Sequence, residues 1–471
     1  MKHRGRHRRR RRGRALRASL AGTALALTAA ATLISTSQAA GGATPGALSS
    51  ITSADELRGL QLRETLTDTT ELRTLSHAMG GGVGVDEVLR SANHAMRGEG
   101  DCFATEKDNL PVEPVAARAY CWEPGDAVDD KWVPRSVTTS RNNQVIAAGW
   151  THTGVESDTP GDTTGAGGPP AGVTGAADTD DEGLARVAFV DAADPTDLRY
   201  RWVLLVVPTA DGQGFEGLRS RLGGMVWYED KLIVTARGPE SRGERDDSLY
   251  VFDLARFLRP DVTDSDVIGK TGDGWSAHHY RYALPAVAAY RPPAGGCDAR
   301  DNDGVPCFGS LSLDRTSTPP TVVASERFRP SREEPARIWR YALDTTADRT
   351  GMLTTTGRES VAVATEAYET EAAGVRGVLA HKGDWYVDQA AGKRDRHGTL
   401  WRQDEEGAEA ARCAQDKADE TSGLQSYACW GRHTASLSYS PETGEVWTLT
   451  DPIPERVLYA VRLSDVDSAL S

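Results

Sequence analysis

The residues that could carry chemistry are carboxylates, histidines and arginines, and they form no signature that defines a reaction. The sequence holds no GxSxG, HExxH or P-loop, and no GxGxxG that follows a strand. Asp388 and Glu326 stand at the ends of two predicted strands, and a glycosidase needs two facing carboxyl groups. Sequence alone gives neither of them a partner. His397 and His433 fall at strand starts within reach of a ligand, although a lone histidine there usually hydrogen-bonds its own loop.

One acidic loop is a weak candidate for a calcium site. Asp298, Asp301 and Asp303 lie between Cys297 and Cys307, and oxygen ligands on a tight loop suit Ca²⁺. The full DxDxDG spacing is absent, so a solvated acidic loop is the simpler interpretation. We therefore predict no metal and no cofactor.

Apolar runs from about residue 100 onward repeat in groups of four, which predicts the elements that must position these side chains. The first runs are 136–139, 223–227, 308–313, 377–380 and 435–439. The second runs are 144–148, 232–236, 321–324, 385–387 and 446–449. The third runs, aliphatic then usually aromatic, are 187–191, 249–253, 338–341, 400–404 and 458–461. The fourth runs are 200–207, 280–284, 361–364 and 427–430.

Five groups of four strands predict an all-β fold, a five-bladed β-propeller. A six-bladed count with one unit missed, and an open β-sandwich with coincidental repeats, remain as alternatives. The fifth group has no fourth run of its own. The run 119–122 (Ala-Tyr-Cys-Trp) echoes 427–430 (Tyr-Ala-Cys-Trp), so we expect an N-terminal strand to close the last blade.

The predicted domains follow from these patterns. Residues 1–39 are a signal peptide, 40–98 a linker and helical N-terminal segment, and 99–471 the propeller. Apolar residues at helical spacing predict helix over 51–97. The Gly/Pro/Thr/Asp-rich insertion 154–183 is expected to be disordered.

In a propeller, the turns entering the first strands ring the mouth of the central channel. Four of the five predicted turns carry an arginine, and the 2–3 loops add more cations on the same face. The candidate ligand-binding residues are Arg135, Arg221, Arg376, Arg432, Arg237, Arg327, Arg396 and His433. Guanidinium groups on one face predict an anion site, unless they pair with nearby acids or stack on tryptophans.

Charge and cysteines predict export. Residues 1–17 hold ten basic and no acidic residues, and an apolar stretch over 18–34 ends in Ser37-Gln38-Ala39, which is typical of a secretory signal. The alternatives are a membrane anchor or a basic arm. Cleavage would leave 44 basic and 68 acidic residues, a net charge of −24 that argues against nucleic acid as a partner. No later stretch is apolar enough to span a membrane.

Six cysteines fall into three neighbouring pairs. Outside the cell we expect them to form three disulfides between neighbours, although sequence alone permits other connectivities. The pairs are Cys102 with Cys121, Cys297 with Cys307, and Cys413 with Cys429.

The runs 221–228, 232–234 and 249–253 resemble uncharacterised secreted propeller-like proteins of actinobacteria. The resemblance covers most of residues 100–465, implies export and a propeller, and carries over no catalytic residue. We expect an extracellular, non-catalytic module that binds an anionic glycan, a peptide or a protein through the channel face. The alternatives are a glycosidase- or lactonase-like hydrolase, which needs clustered carboxylates in the funnel, and a structural envelope protein with a filled funnel.

Overall fold

The computed structural model describes residues 44–153, 181–209, 213–237, 247–293, 296–297, 304–327, 335–391, 396–414 and 424–470. This part of the chain is mostly β and forms several antiparallel sheets. The predicted signal peptide and nearly all of the predicted disordered insertion lie outside the described residues. No helix among the described residues is both long and apolar enough to cross a bilayer.

Short elements precede the large sheets. The strands are β1 (Ser49–Ser50), β2 (Leu62–Leu66), β3 (His94–Ala95), β4 (Arg97–Gly98) and β5 (Arg118–Cys121). The helices are α1 (Ala54–Gly59), α2 (Thr69–Ala78), α3 (Val85–Arg90), α4 (Ala104–Lys107) and α5 (Pro124–Ala127), with a 3₁₀ turn at Glu99–Asp101.

Five four-stranded antiparallel units, named sheets 1 to 5, follow in the described residues. Sheet 1 has β6 (Trp132–Thr139), β7 (Val145–His152), β8 (Ala185–Asp191) and β9 (Arg199–Pro208); the short β10 (Phe215–Gly217) pairs with β9. Sheet 2 has β11 (Met225–Tyr228), β12 (Lys231–Arg237), β13 (Asp247–Asp253) and, after the hairpin of β14 (Ile268–Lys270) and β15 (Trp275–Ala277), β16 (Ala283–Arg291).

The remaining three sheets repeat the same order. Sheet 3 has β17 (Phe308–Asp314), β18 (Thr321–Glu326), β19 (Ala336–Ala342) and, after the short β20 (Val361–Ala362), β21 (Ala364–Thr370). Sheet 4 has β22 (Val375–His381), β23 (Asp384–Gln389), β24 (Thr399–Gln403) and β25 (Ala408–Glu409). Sheet 5 has β26 (Thr434–Ser440), β27 (Glu445–Thr450) and β28 (Val457–Arg462), with β5 as its fourth strand; α6 (Leu463–Ser468) follows.

The first strands of the five sheets contact one another in cyclic order: β6, β11, β17, β22, β26 and back to β6. β17 also contacts β26 across this ring. Small residues permit the close approach. A Cβ on Gly224 would lie 2.0 Å from the backbone nitrogen of Leu311, and one on Gly377 would lie 2.9 Å from a side-chain carbon of Leu437. This packing explains why the first strands are rich in small residues.

Five apolar cores fill the spaces between neighbouring sheets in the same cyclic order. Each second and third strand contributes apolar side chains to two of these cores, because successive side chains point to opposite faces of a sheet. In β7, Val145 and Ala147 face sheet 2, whereas Ile146, Ala148 and Trp150 face sheet 5. Each sheet therefore has both faces buried.

The predicted closing strand is present. β5 pairs antiparallel with β28, and Tyr120 stands opposite Leu458. The similar run 427–430 was predicted to be the fourth strand of sheet 4. That prediction is wrong, because the fourth strand of sheet 4 is β25. The aromatic residue Tyr427 packs on Trp401 instead of pairing in a strand, with ring centroids 5.0 Å apart.

Two other predicted fourth strands are displaced toward the C terminus. Sheet 2 uses 283–291 instead of 280–284, and sheet 3 uses 364–370 instead of 361–364. The aromatic residue that suggested the earlier start, Tyr280, lies outside the strand, is partly buried and accepts a hydrogen bond from Arg186 at 3.3 Å. β16 also pairs in parallel with β9, so sheets 1 and 2 share a continuous set of hydrogen bonds.

Residues 46–98, here called the belt, run along the outer edges of the sheets. Gly46 and Leu48 hydrogen-bond to Gln403 and Asp404 at sheet 4. β1 then pairs with sheet 3, β2 with sheet 2, β3 with sheet 1, and β4 with β5 of sheet 5. The helical prediction over 51–97, which is interrupted at residues 80–82, is correct only for α1, α2 and α3, because β2 and β3 occupy the rest of the regular structure in this segment. The belt covers backbone groups that an outer strand would otherwise expose.

Three disulfides join the neighbouring cysteine pairs as expected: Cys102–Cys121, Cys297–Cys307 and Cys413–Cys429. The first links the segment after the belt to β5. Disulfides of this kind are typical of an oxidising compartment.

Candidate functional site

The start of each first strand defines one end of the sheets, here called the mouth end. In two sheets a predicted arginine is the extra residue of a β-bulge there. Arg135 lies at the register shift between Pro134 and Ser136 of β6, and Arg376 at the shift between Val375 and Gly377 of β22. A bulge re-aims its side chain out of the regular alternation. Arg376 is exposed, whereas Arg135 is partly buried and donates to Asp451 at 3.1 Å.

The other candidate residues occupy turns at the same end by chain connectivity. Arg221, Arg432 and His433 precede β11 and β26, and each is partly exposed. Arg327 follows β18 and is partly exposed, and Arg396 precedes β24 and is exposed. The side chain of Arg237 and the acidic loop with Asp298, Asp301 and Asp303 lie outside the described residues.

Three carboxylates at the mouth end are buried. Asp247 begins β13, Glu326 ends β18 and Asp388 lies near the end of β23, with 1%, 2% and 0% exposure. The backbone nitrogen of Phe308 donates to Asp247 at 2.5 Å. Glu326 accepts two hydrogen bonds from the Arg337 guanidinium, at 2.6 and 2.7 Å, and one from the Arg337 backbone nitrogen at 3.3 Å. The pKa of Glu326 is raised because burial outweighs this pairing.

Asp388 is the carboxyl group most altered by its surroundings. Burial raises its pKa from an ordinary 3.8 to about 7, although Thr434 and the charge of Arg376 act in the opposite direction. One oxygen accepts a hydrogen bond from the Thr434 hydroxyl at 2.9 Å. The other has no hydrogen-bond partner among the described residues. Asp388 therefore holds its proton well above the usual pH range of an aspartate.

A group of buried cations lies between sheets 1 and 5 and was not predicted from the sequence. The Arg186 guanidinium lies 3.7 Å from the Trp202 ring centroid and 4.3 Å from that of Trp132. It is within 3.6 Å of a carboxylate oxygen of Asp126. The arginine is 6% exposed, so the tryptophan rings and the carboxylate replace water around its charge. The only signal in the sequence was a charged residue inside the apolar run of β8.

Arg456 lies in the same group and is fully buried. Its guanidinium donates to the backbone carbonyl of Asp126 at 2.8 Å and lies 5.0 Å from the Trp150 ring centroid. Burial lowers its pKa to about 10. Arg186 and Arg456 therefore fix α5, which carries Asp126, against the facing sheets.

A third group joins the end of the belt to α5. His94 Nδ1 lies 2.6 Å from a carboxylate oxygen of Glu123 and 3.6 Å from one of Asp126. All three candidate ligand atoms lie within 4.8 Å of one another. Two other clusters of potential ligands in the described residues, around Glu106 and Asp247, each contain a disulfide-bonded cysteine pair. Disulfide sulfur is not the thiolate that binds metals.

No protein-family model matches the chain, and no curated protein matches it. Solved structures show a distant similarity to β-propeller proteins. Sqt1 from Chaetomium thermophilum aligns over 71% of this chain and 62% of its own, with 10% identity and a TM-score of 0.26. A Trypanosoma rangeli sialidase aligns over 79% and 59%, with 8% identity and a TM-score of 0.30. The β-propeller domain of the Trilobed protease from Pyrococcus furiosus aligns over 73% and 96%, with 11% identity and a TM-score of 0.24.

The chain spans about three-fifths of the length of the Sqt1 and sialidase chains. The resemblance to actinobacterial secreted proteins stays a prediction.

Proposed function

We propose that the chain is an exported five-bladed β-propeller that binds an anionic glycan, without catalysis, through its mouth end. Each of sheets 1 to 5 is one blade in this proposal. The blade count is supported by the cyclic contacts of the five first strands and by the five cores between neighbouring sheets. Export is supported by the basic leader and the three disulfides.

The observation that carries the binding proposal is that the candidate arginines described at the mouth end are exposed or partly exposed, whereas three carboxylates of strands β13, β18 and β23 at that end are buried. Arg376 and Arg396 are exposed, and Arg221 and Arg432 are partly exposed. Asp247, Glu326 and Asp388 at the same end are at most 2% exposed. A ligand that approaches this end meets guanidinium groups before these three carboxylates. Guanidinium groups bind carboxylate and sulfate oxygens through paired N–H donors.

An anionic glycan fits this arrangement better than a nucleic acid does. The chain after the predicted signal has a net charge of −24, so a long polyanion would be repelled by most of its surface. A short oligosaccharide with a few carboxylates engages only the mouth end. A short anionic ligand is therefore favoured over a long polyanion, and we take an anionic glycan as that ligand.

The alternative is a glycosidase- or lactonase-like hydrolase with Asp388 as its acid. A carboxyl group with a pKa near 7 holds a proton that it can donate at neutral pH. Its complete burial separates it from a substrate at the mouth end, so binding is the preferred function. Hydrolysis of a chromogenic glycoside that is lost in Asp388→Asn would instead favour the hydrolase.

Oligogalacturonate is a suitable probe for titration calorimetry, with a neutral maltooligosaccharide as the ligand control. We expect Arg376→Ala and Arg432→Ala each to weaken oligogalacturonate binding about tenfold, because each removes a charge-assisted hydrogen bond. Arg199→Ala, an exposed arginine on the outer strand β9, is the matched control and should leave affinity unchanged. Equal affinity of the Arg376 and Arg432 variants and the wild type, or no binding at millimolar probe, would refute the proposal.

A further inference from the structure

We propose that His94, Glu123 and Asp126 form a binding site for a divalent cation of the zinc type. The three residues come from two segments that meet where the belt passes from sheet 1 to sheet 5. His94 belongs to β3, which pairs with β9, and Glu123 and Asp126 lie at the start of α5 and within it. No sequence pattern indicates the site, because 29 positions separate the histidine from the nearer carboxylate.

The distances fit a metal ion after a small adjustment. Zinc bonds to nitrogen and oxygen are about 2.0–2.2 Å, so two ligands at a tetrahedral angle lie about 3.3–3.5 Å apart. His94 Nδ1 is 3.6 Å from the Asp126 oxygen, close to that separation. It is 2.6 Å from the Glu123 oxygen, a hydrogen-bond distance. Glu123 would need to retreat by less than about 1 Å, and its side chain is 43% exposed and therefore able to move.

Two ligands are held in place by groups outside the cluster. The Tyr200 hydroxyl and the Trp202 indole N–H both donate to the same oxygen of Asp126, the second at 3.3 Å. The His94 ring stacks on the Tyr200 ring, with centroids 4.9 Å apart and planes 21° from parallel. The oxygen that receives both donors is the one nearest His94, so these contacts orient Asp126 and also share its ligand oxygen with a bound ion, which weakens binding. The site is therefore pre-organised on the side of sheet 1 and adjustable on the solvent side.

The ligand set decides the class of ion. One imidazole nitrogen and two carboxylates suit Zn²⁺ and related transition metals, whereas Ca²⁺ prefers six to eight oxygens. Solvent would complete the coordination through the exposed Glu123 side. The positive charge of Arg186 repels a bound cation, because its guanidinium lies 3.6 Å from the other oxygen of Asp126. Binding should therefore be weaker than at a structural zinc site with four protein ligands.

The test is a titration of the full chain, freed of metal by a chelator and without a histidine tag, with Zn²⁺ in a calorimeter. We expect His94→Ala to bind one Zn²⁺ fewer per chain than the wild type. Glu123→Gln should weaken that same step, because an amide can accept a hydrogen bond but is a poor metal ligand. The same Zn²⁺ should raise the Tm of the wild type and not that of His94→Ala.

A second histidine–carboxylate pair provides the matched control. His279 Nε2 lies 2.6 Å from Asp266 on an exposed loop, and no third ligand completes a cluster around it in the described residues. His279→Ala should keep the full stoichiometry and affinity. Variants at His94 and Glu123 that bind Zn²⁺ as the wild type does, or a wild type that binds none at about 100 µM Zn²⁺, would overturn the proposal. A circular dichroism spectrum of His94→Ala without metal that matches the wild type separates loss of the site from loss of the fold.

Discussion

The five sheets and the belt are held to the molecule in different ways. Each sheet buries both faces, and neighbouring sheets share an apolar core. The belt contributes strands of two to five residues to the outer edges and adds apolar side chains at the margins of the cores: Leu48, Ile51, Leu60, Leu62, Leu75, Met79 and Val88. β5 connects the two regions, because it follows the belt in the chain and yet lies inside sheet 5. Burial of whole sheet faces therefore stabilises the ring, whereas short edge pairings and single buried side chains attach the belt.

The largest expected effect comes from breaking the strand that closes sheet 5. Ala119→Pro places proline in β5, which pairs with β28 on one side and with β4 on the other. Loss of a ladder hydrogen bond and the steric clash should cost about 3 kcal/mol or more and open the interface between sheets 5 and 1. We expect the variant to be unfolded or to lose its cooperative thermal transition, measured by circular dichroism.

The matched substitution in the belt is Thr65→Pro, in an edge strand that pairs with β16. It should lower the free energy of unfolding by about 1 kcal/mol and keep a cooperative transition, because no core depends on Thr65. Equal loss in both variants would mean that the belt and the closing strand contribute alike, and the distinction between the two regions would fail.

Asp388 gives the sheets a dependence on pH. Its pKa of about 7 in the folded state lies above its ordinary value of 3.8, so the folded protein binds the proton more tightly than the unfolded chain. This contribution to stability is complete below about pH 4 and is lost as pH rises to about 7, to a total of about 4 kcal/mol. Asp388→Asn should remove that dependence in denaturant titrations at several pH values.

Asp344 is a control whose pKa is shifted in the opposite direction. Burial raises the pKa of Asp344, but the hydrogen bonds from Thr346 and Arg349 together outweigh it and lower the pKa, so its contribution is present at neutral pH and is lost as pH falls below its ordinary 3.8. Asp344→Asn should therefore lower stability at neutral pH and remove pH dependence only on the acid side. An unchanged slope between pH 4 and 7 in Asp388→Asn would contradict the assigned pKa.

Replacing Arg186 should lower the free energy of unfolding more than replacing an exposed arginine on the next strand. Arg186→Ala leaves Asp126 without its nearest buried cation and leaves a space among the tryptophan rings, which should cost about 3 kcal/mol. Arg199→Ala, an exposed residue on β9, should change stability by less than about 0.5 kcal/mol. Chemical denaturation of both variants measures the difference, and comparable costs would show that the buried cation is not a structural requirement.

The first three strands of each sheet could be predicted because their burial on both faces leaves dense apolar runs. The run 249–253, for example, falls within β13. Fourth strands could not be placed reliably, since an apolar residue near the edge can pack without pairing. Tyr280 contacts Arg186, and Tyr427 packs on Trp401, and neither lies in a strand.

The belt was not predictable for a different reason. Edge strands such as β1 and β3 are two residues long and partly exposed, so they leave no periodic pattern. The candidate site residues likewise include some that could be predicted from the sequence and some that could not. Arg135 and Arg376 could be found because they precede recognisable strands. Arg186, Arg456 and Asp126 come from three separate segments, and only ring closure brings them together.

Amide hydrogen exchange can show whether β5 is an integral strand of the closed ring. The amides of Ala119–Cys121 should exchange as slowly as those of Val457–Val461, through global unfolding, whereas the amides of β1 and β3 should exchange faster. Fast exchange in β5 while the three other strands of sheet 5 stay protected would mean that β5 does not close the ring.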